Sequence, residues 1–310
     1  MQVTSAQCVV LATGGTIAGA AADPQDHLNY RAGAIGVSQL LAGFAPADPS
    51  LVCEDVAGID SKDMSWEVWR ALAARCAHWL AQHPVSGIVV THGTDTLEET
   101  AWFLQRVLAP AKPVVLASAM RAANALSPDG PQNLADALAI ARTVGAQGVL
   151  AVCAGQVHAA GEVRKLHPYR VEAFGAGETG PVALVEDGQV RRLREWPAAA
   201  PTAGLLERVL GTSQPPRVEI VSSHAGADGR MVDLLVADGV QGLVVAGTGN
   251  GSLHQRLEQA LARAQAQGVR VVRSTRCLLG RVVPQAGTPF PAHALPPPAA
   301  RVDLQLDLLA

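Results

Sequence analysis

Several things are scarce in this chain at once. Aromatic residues fill only 4% of its 310 positions, and Tyr30 and Tyr169 are its two tyrosines. Of 24 basic residues only Lys62, Lys112 and Lys165 are lysines, so a lysine kept in so arginine-rich a chain is a candidate for chemistry that needs a removable proton. The five cysteines, Cys8, Cys53, Cys76, Cys153 and Cys277, are scattered. They lack the paired C-x-x-C spacing of a zinc or redox site and read as reduced core residues of a cytoplasmic protein. The histidines are dispersed without metal-ligand spacing, and no metal or cofactor is expected. A net charge of −3 leaves no electrostatic footprint for nucleic acid or an anionic membrane. No apolar run reaches the ~18 residues of a membrane helix. Residues 1–7 carry no basic region ahead of a long apolar stretch, so a signal peptide is not expected either.

What is present is ample apolar content, 49% of the chain, enough for two cores at about 150 residues per domain. Short β-branched runs recur at 8–12, 87–91, 113–118, 148–153, 218–222, 242–246 and 269–273, with helix-like patterns between most of them. In 63–83, Trp66, Trp69, Leu72, Ala73, Cys76, Trp79 and Leu80 return at helical spacing. Thr96 and Glu99 fit a capping box for a helix running on through Val107, and Pro131 suits the first turn of a helix over 131–144. The alternation predicts an α/β fold of two doubly wound parallel-sheet domains, a larger N-terminal and a smaller C-terminal one, joined by a linker. Asp187-Gly188 reads as the turn of a β-hairpin within 182–193. Breaker-rich stretches at 196–201 and 211–216 bracket a short helical segment, which gives domains at 1–194 and 217–310 with the linker at 195–216. Residues 289–298 look irregular, with a short helix from Ala299.

Two segments place threonines directly after strand-like runs: Leu11-Ala12-Thr13-Gly14-Gly15-Thr16-Ile17-Ala18-Gly19 and Thr91-His92-Gly93-Thr94-Asp95-Thr96-Leu97-Glu98-Glu99-Thr100. Both should lie at the carboxyl ends of neighbouring parallel strands, where open α/β sheets bind ligands. The glycines do not fit a P-loop, which needs a following lysine, or the three-glycine dinucleotide fingerprint. A threonine hydroxyl is a poor nucleophile until a base takes its proton, and Lys165 and Tyr30 can supply that. Asp95 either caps the helix that begins there or binds a substrate ammonium. His92 reads as a packed histidine without a catalytic role. Asp60-Ser61-Lys62-Asp63 is a helix-start cluster in which Ser61 can also donate to a carboxylate. Lys112 and Arg191-Arg192-Leu193-Arg194 read as solvated surface charge.

Both threonine motifs resemble those of the bacterial-type L-asparaginase (asparaginase/glutaminase) family. Further similarity lies in Asp60-Ser61-Lys62-Asp63-Met64, Ala117-Ser118-Ala119-Met120-Arg121, Asp129-Gly130-Pro131-Gln132-Asn133-Leu134, Gly161-Glu162-Val163-Arg164-Lys165 and Gly247-Thr248-Gly249-Asn250-Gly251, so it covers most of the chain. The resemblance implies an amidohydrolase that converts L-asparagine to L-aspartate and ammonia through a threonine acyl-enzyme, with minor glutaminase activity. It implies Thr16 as nucleophile and Tyr30 on a mobile lid that closes over the substrate; the short glycine- and alanine-rich lid at 19–26 suggests a segment that orders only on binding. Thr94 and Lys165 would move protons and stabilise the oxyanion, and Asp95 would hold the α-amino group. Ser61 would bind the substrate carboxylate, Ala119 would contact the leaving amide through its backbone, and Asn250 would come from a neighbouring subunit of a homotetramer built as a dimer of dimers. A lysine base implies activity falling toward acid.

The chain departs from that pattern in one loop. Many members carry an acidic residue where this one has Leu279-Gly280-Arg281-Val282-Val283-Pro284-Gln285-Ala286-Gly287, so Tyr30 lacks that support, which implies weaker substrate affinity and a low glutaminase-to-asparaginase ratio. Two competing readings share the motifs. One is the asparaginase-like subunit of a tRNA-dependent amidotransferase, which usually carries an extra N-terminal domain. The other is a non-catalytic amino-acid binding protein that keeps the pocket without turnover.

Overall fold

The β-branched runs become the strands of two separate sheets. The structure, a computed structural model, describes residues 6–42, 48–198 and 200–310. Residues 1–5, part of the segment read for a signal peptide, and Ala199 of the linker lie outside them. The chain divides into two compact units, Met1–Pro201 and Thr202–Ala310.

The first unit runs β1 (Gln7–Gly14), β2 (Ala20–Ala21), β3 (Tyr30–Arg31), α1 (Val37–Ala42), β4 (Leu51–Ile59), α2 (Trp66–Leu80), β5 (Val85–Thr91), α3 (Leu97–Leu108), β6 (Val114–Ala117) and α4 (Gly130–Ala141). It continues with β7 (Val149–Cys153), β8 (Gln156–Ala159), β9 (Arg164–Lys165), β10 (Phe174–Gly175), β11 (Ala183–Glu186) and β12 (Gln189–Arg192). Eight strands form one sheet in the order β12-β11-β8-β7-β6-β5-β1-β4. Pairing is parallel from β4 to β7 and antiparallel from β7 through β8 and β11 to β12. The sheet is therefore parallel where the motifs lie and mixed at its far edge. Asp187 (φ 50°) and Gly188 (φ 73°) close the β11–β12 hairpin, both in the left-handed region that a two-residue hairpin turn requires.

Alternation along the strands splits the core. Val10, Val89, Val115 and Leu150 pack with Leu134 and Ile140 of α4 on one face. On the other, α2 packs against β4 and β5, and α3 against β7. Trp69 of α2 stacks on Phe103 of α3 with centroids 4.8 Å apart and donates its indole N–H to Thr100 Oγ1 at 2.8 Å. Ile88, Val89 and Val90 are fully buried, each worth roughly 1.5–3 kcal/mol of apolar transfer, so β5 is a rigid support for the loop that follows it.

The second unit contains α5 (Leu205–Gly211), β13 (Val218–Ser222), α6 (Arg230–Ala237), β14 (Gly242–Gly247), α7 (Gln255–Ala266), β15 (Arg270–Thr275) and α8 (Pro297–Asp307). Its sheet, β13-β14-β15, is parallel. Val232 of α6 and Leu257 and Leu261 of α7 cover one face, and Ala300 and Leu304 of α8 cover the other. The segment read as a linker contains α5. The C-terminal helix starts two residues before Ala299, with proline in its first turn, where the missing N–H costs nothing.

Three local expectations are corrected. Thr96 is the N-cap residue of α3 but makes no side-chain cap hydrogen bond; its hydroxyl donates instead to the Ser61 carbonyl at 2.7 Å, so there is no capping box. All five cysteines are free, but Cys277 is exposed and Cys53 half-buried, so they are not all core residues. Arg194 is not merely solvated: it is partly buried and ion-paired to Glu162.

Candidate active site

Four strand ends converge on the candidate site. β1 and β5 lie side by side in parallel, with Ala12 opposite Thr91, so the chain emerges from the sheet at Gly14-Gly15-Thr16 and at His92-Gly93-Thr94 in the same place. Gly15 has φ 81°, and a Cβ there would stand 2.3 Å from the Gly93 nitrogen. The two loops thus touch through bare backbone, one residue before each threonine. Gly93 is equally confined on its other side, where a Cβ would meet Ser61 Oγ at 2.4 Å. Ser61 follows β4, and Ala119 follows β6.

Each threonine hydroxyl has its own partner. Thr16 Oγ1, buried in a single 3-10 turn, lies 2.6 Å from the Tyr30 phenol oxygen. Tyr30 is delivered by the β2–β3 hairpin, in which Ala21 pairs with Tyr30. Asn124 fastens that hairpin: its side chain accepts from the Ala21 N–H at 2.8 Å and donates to the Ala21 carbonyl at 2.7 Å. Thr94 Oγ1 accepts from Lys165 Nζ at 2.8 Å, and the same Nζ reaches Asp95 Oδ1 at 2.5 Å. Asp95 is therefore the lysine's partner rather than a helix cap. Its side chain remains half exposed, open to a ligand. Ser61 Oγ accepts the Asp95 backbone N–H at 3.1 Å, which leaves its own proton free to donate.

Ala119 is buried, and its loop is shaped by Asp129, whose carboxylate accepts the N–H groups of Met120 and Arg121 at 2.9 and 3.0 Å. Asn250 belongs to the second unit, on the loop after β14. There its amide donates to the Val283 carbonyl at 3.0 Å and accepts the Val283 N–H at 2.7 Å. Among the described residues, no three His, Cys, Asp or Glu side chains converge to hold a metal ion.

The chain as a whole has known counterparts. A family model described as Asparaginase, N-terminal, matches residues 7–198, and one described as Glutaminase/Asparaginase C-terminal domain matches 217–309. The chain belongs to the asparaginase family. It is 36% identical to "L-asparaginase 2" of Escherichia coli (strain K12), covering 96% of this chain and 88% of that one. It is 35% identical to "Glutaminase-asparaginase" of Pseudomonas fluorescens biotype A, covering 96% and 84%. The crystal structure of a probable cytoplasmic L-asparaginase from Campylobacter jejuni superposes with a TM-score of 0.90 at 34% identity, covering 98% of this chain and 95% of that one. Among the described residues, no helix is long and apolar enough to cross a membrane.

Two titratable groups with shifted pKa values lie within the second threonine segment. His92 is fully buried, with Nδ1 2.6 Å from the Gly93 carbonyl oxygen, and burial pushes it down to about 4. It is a neutral, packed side chain, as the sequence indicates. Glu98 does not stand out in the sequence. Its carboxylate accepts the Lys165 backbone N–H at 3.2 Å, and burial pushes its pKa up to about 7. Asn124 does not stand out in the sequence either, because its partners, the Ala21 backbone groups, lie 103 positions away.

Proposed function

We propose that this protein is an L-asparagine amidohydrolase with Thr16 as its nucleophile. The observation that carries the reading is the pair of hydroxyl contacts, Thr16 to Tyr30 at 2.6 Å and Thr94 to Lys165 at 2.8 Å, on loops that touch through Gly15 and Gly93. The names of the relatives support the substrate class.

In this mechanism Thr16 Oγ1 attacks the side-chain amide carbon as its proton passes to the Tyr30 oxygen, which hands its own phenolic proton on toward the leaving amide nitrogen. The tetrahedral intermediate collapses with loss of the amide nitrogen, which takes up a proton and leaves as ammonia. Water then cleaves the ester bond to Thr16 and releases aspartate. Thr94 and Lys165 deliver and receive protons and stabilise the oxyanion. Asp95 binds the α-ammonium, Ser61 the α-carboxylate, and the Ala119 backbone lies by the leaving amide. Asn250 comes from a neighbouring subunit of a homotetramer, a dimer of dimers. Residues 1–194 form the domain carrying nucleophile and lid, residues 195–216 the linker and residues 217–310 the C-terminal domain, and the protein works in the cytoplasm without a cofactor.

Ammonia release from L-asparagine and L-glutamine, measured side by side, tests the substrate assignment. Strong turnover of asparagine with weak turnover of glutamine is expected. Equal turnover of both would remove the specificity inferred from the loop without a carboxylate at 279–287.

A further inference from the structure

Lys165 sits on β9, which is only two residues long and pairs antiparallel with the equally short β10, outside the large sheet. So short a pairing cannot fix a side chain to the few tenths of an ångström that proton transfer requires. Beyond it, the Leu166 and His167 N–H groups donate to the Ala173 carbonyl at 2.7 and 3.2 Å, but the hydrogen bonds that Lys165 itself donates go to one short segment, residues 94–98. Thr94 and Asp95 receive Nζ at 2.8 and 2.5 Å, and Glu98, in the first turn of α3, receives the backbone N–H at 3.2 Å.

We propose that Glu98 is the positioning residue of Lys165, holding the lysine's backbone while Thr94 and Asp95 hold its Nζ, so that a single segment fixes both ends of the side chain. The proposal rests on the reading of Lys165 as a proton-transfer group. Glu98 makes no contact with Nζ among its hydrogen bonds; it acts through the main chain.

The charge on Glu98 sets the strength of this clamp. An ionised carboxylate makes a hydrogen bond to an N–H roughly twice as strong as a neutral acceptor does. The groups facing it are Glu99 on its own helix and Arg164 and Lys165 on β9. Burial and Glu99 disfavour its charge, while the Lys165 N–H, Arg164 and the Lys165 charge favour it, and burial dominates. The clamp therefore tightens as pH rises through neutrality.

The test uses full-length Glu98→Gln and Glu98→Ala, with two readouts. One is kcat and KM for L-asparagine across pH 5.5–9, about two units either side of neutrality. The other is deuterium uptake by the peptide covering residues 161–167, which needs no activity. Glu98→Gln keeps an acceptor that does not titrate; it should protect the peptide, hold KM within about twofold and remove the inflection of kcat near pH 7. Glu98→Ala should speed uptake in that peptide and lower kcat about 10- to 100-fold, with a smaller change in KM. A Glu98→Gln profile that superposes on the wild type, or wild-type uptake and kcat in Glu98→Ala, would overturn the proposal. If the wild type releases no ammonia from asparagine, the functional reading fails, and the uptake comparison still decides whether Glu98 holds Lys165.

Discussion

Thr16 and Tyr30 meet through their hydroxyl oxygens, 2.6 Å apart, because the β2–β3 hairpin folds the tyrosine back over the 3-10 turn that carries the threonine. Tyr30→Phe keeps the ring and removes the oxygen. It should lower kcat about 10²- to 10⁴-fold while changing KM little, the signature of a lost proton-transfer partner. Steady-state kinetics on L-asparagine checks this, and a variant with kcat within a few-fold of wild type would reduce Tyr30 to a cover.

The hairpin itself depends on Asn124, whose two hydrogen bonds to Ala21 span 103 positions of sequence. Asn124→Ala leaves both Ala21 groups without these partners and should raise KM for L-asparagine roughly 5- to 50-fold, by loosening the hairpin that carries Tyr30. Unchanged KM and kcat would show that the hairpin holds without it.

Gly15 is the contact point between the two threonine loops. Gly15→Ala would force a methyl to 2.3 Å from the Gly93 nitrogen at a residue with φ 81°. The expected cost is roughly 2–5 kcal/mol of folding stability, read as a lower urea midpoint together with lost activity. A variant as stable and active as wild type would mean that the loops do not touch there.

Stability should depend on pH through three buried groups. His92 and His158 are held neutral by burial, each pushed from 6.5 down to about 4, with Arg194 adding to the effect at His158. Between those values the unfolded chain binds more protons than the folded one, so both histidines cost stability as pH falls. Glu98, pushed from 4.5 up to about 7, acts in the opposite direction: the folded chain binds the extra proton, and its contribution is lost as pH rises. From pH 6.5 down to 4.5 the net is one proton, a loss of about 1.4 kcal/mol per pH unit. His158→Gln should flatten that slope in urea unfolding, and an unchanged slope would contradict it.

The alternating apolar runs place most of the parallel strands and helices, because a buried parallel strand reads as a continuous β-branched stretch. β4 is not visible that way. It is an edge strand whose run is broken by Glu54-Asp55, and Glu54 is there to pair with Arg75 at 2.5 Å and to accept from the Trp79 indole at 3.0 Å. β8 is four residues with a glutamine and a histidine, and it turns the sheet antiparallel. In the site, Thr16, Thr94 and Asp95 stand out after strand-like runs, and Tyr30 and Lys165 by the scarcity of their residue types; the structure brings Thr16 to Tyr30 and Lys165 to Thr94 and Asp95. Glu98 and Asn124 do not stand out. A glutamate in a first helical turn reads as a favourable charge, and an asparagine in a loop reads as a turn, until their distant backbone partners are known.

The proposed mechanism puts the acyl group on Thr16. Ammonia release from L-asparagine by Thr16→Ala and by Thr94→Val, each with a rapid-quench mass measurement of the protein, tests it most directly. No turnover and no adduct are expected in Thr16→Ala, and in Thr94→Val slow turnover with the acyl group still on the peptide containing Thr16. An adduct on Thr94, or turnover by Thr16→Ala close to wild type, would contradict it.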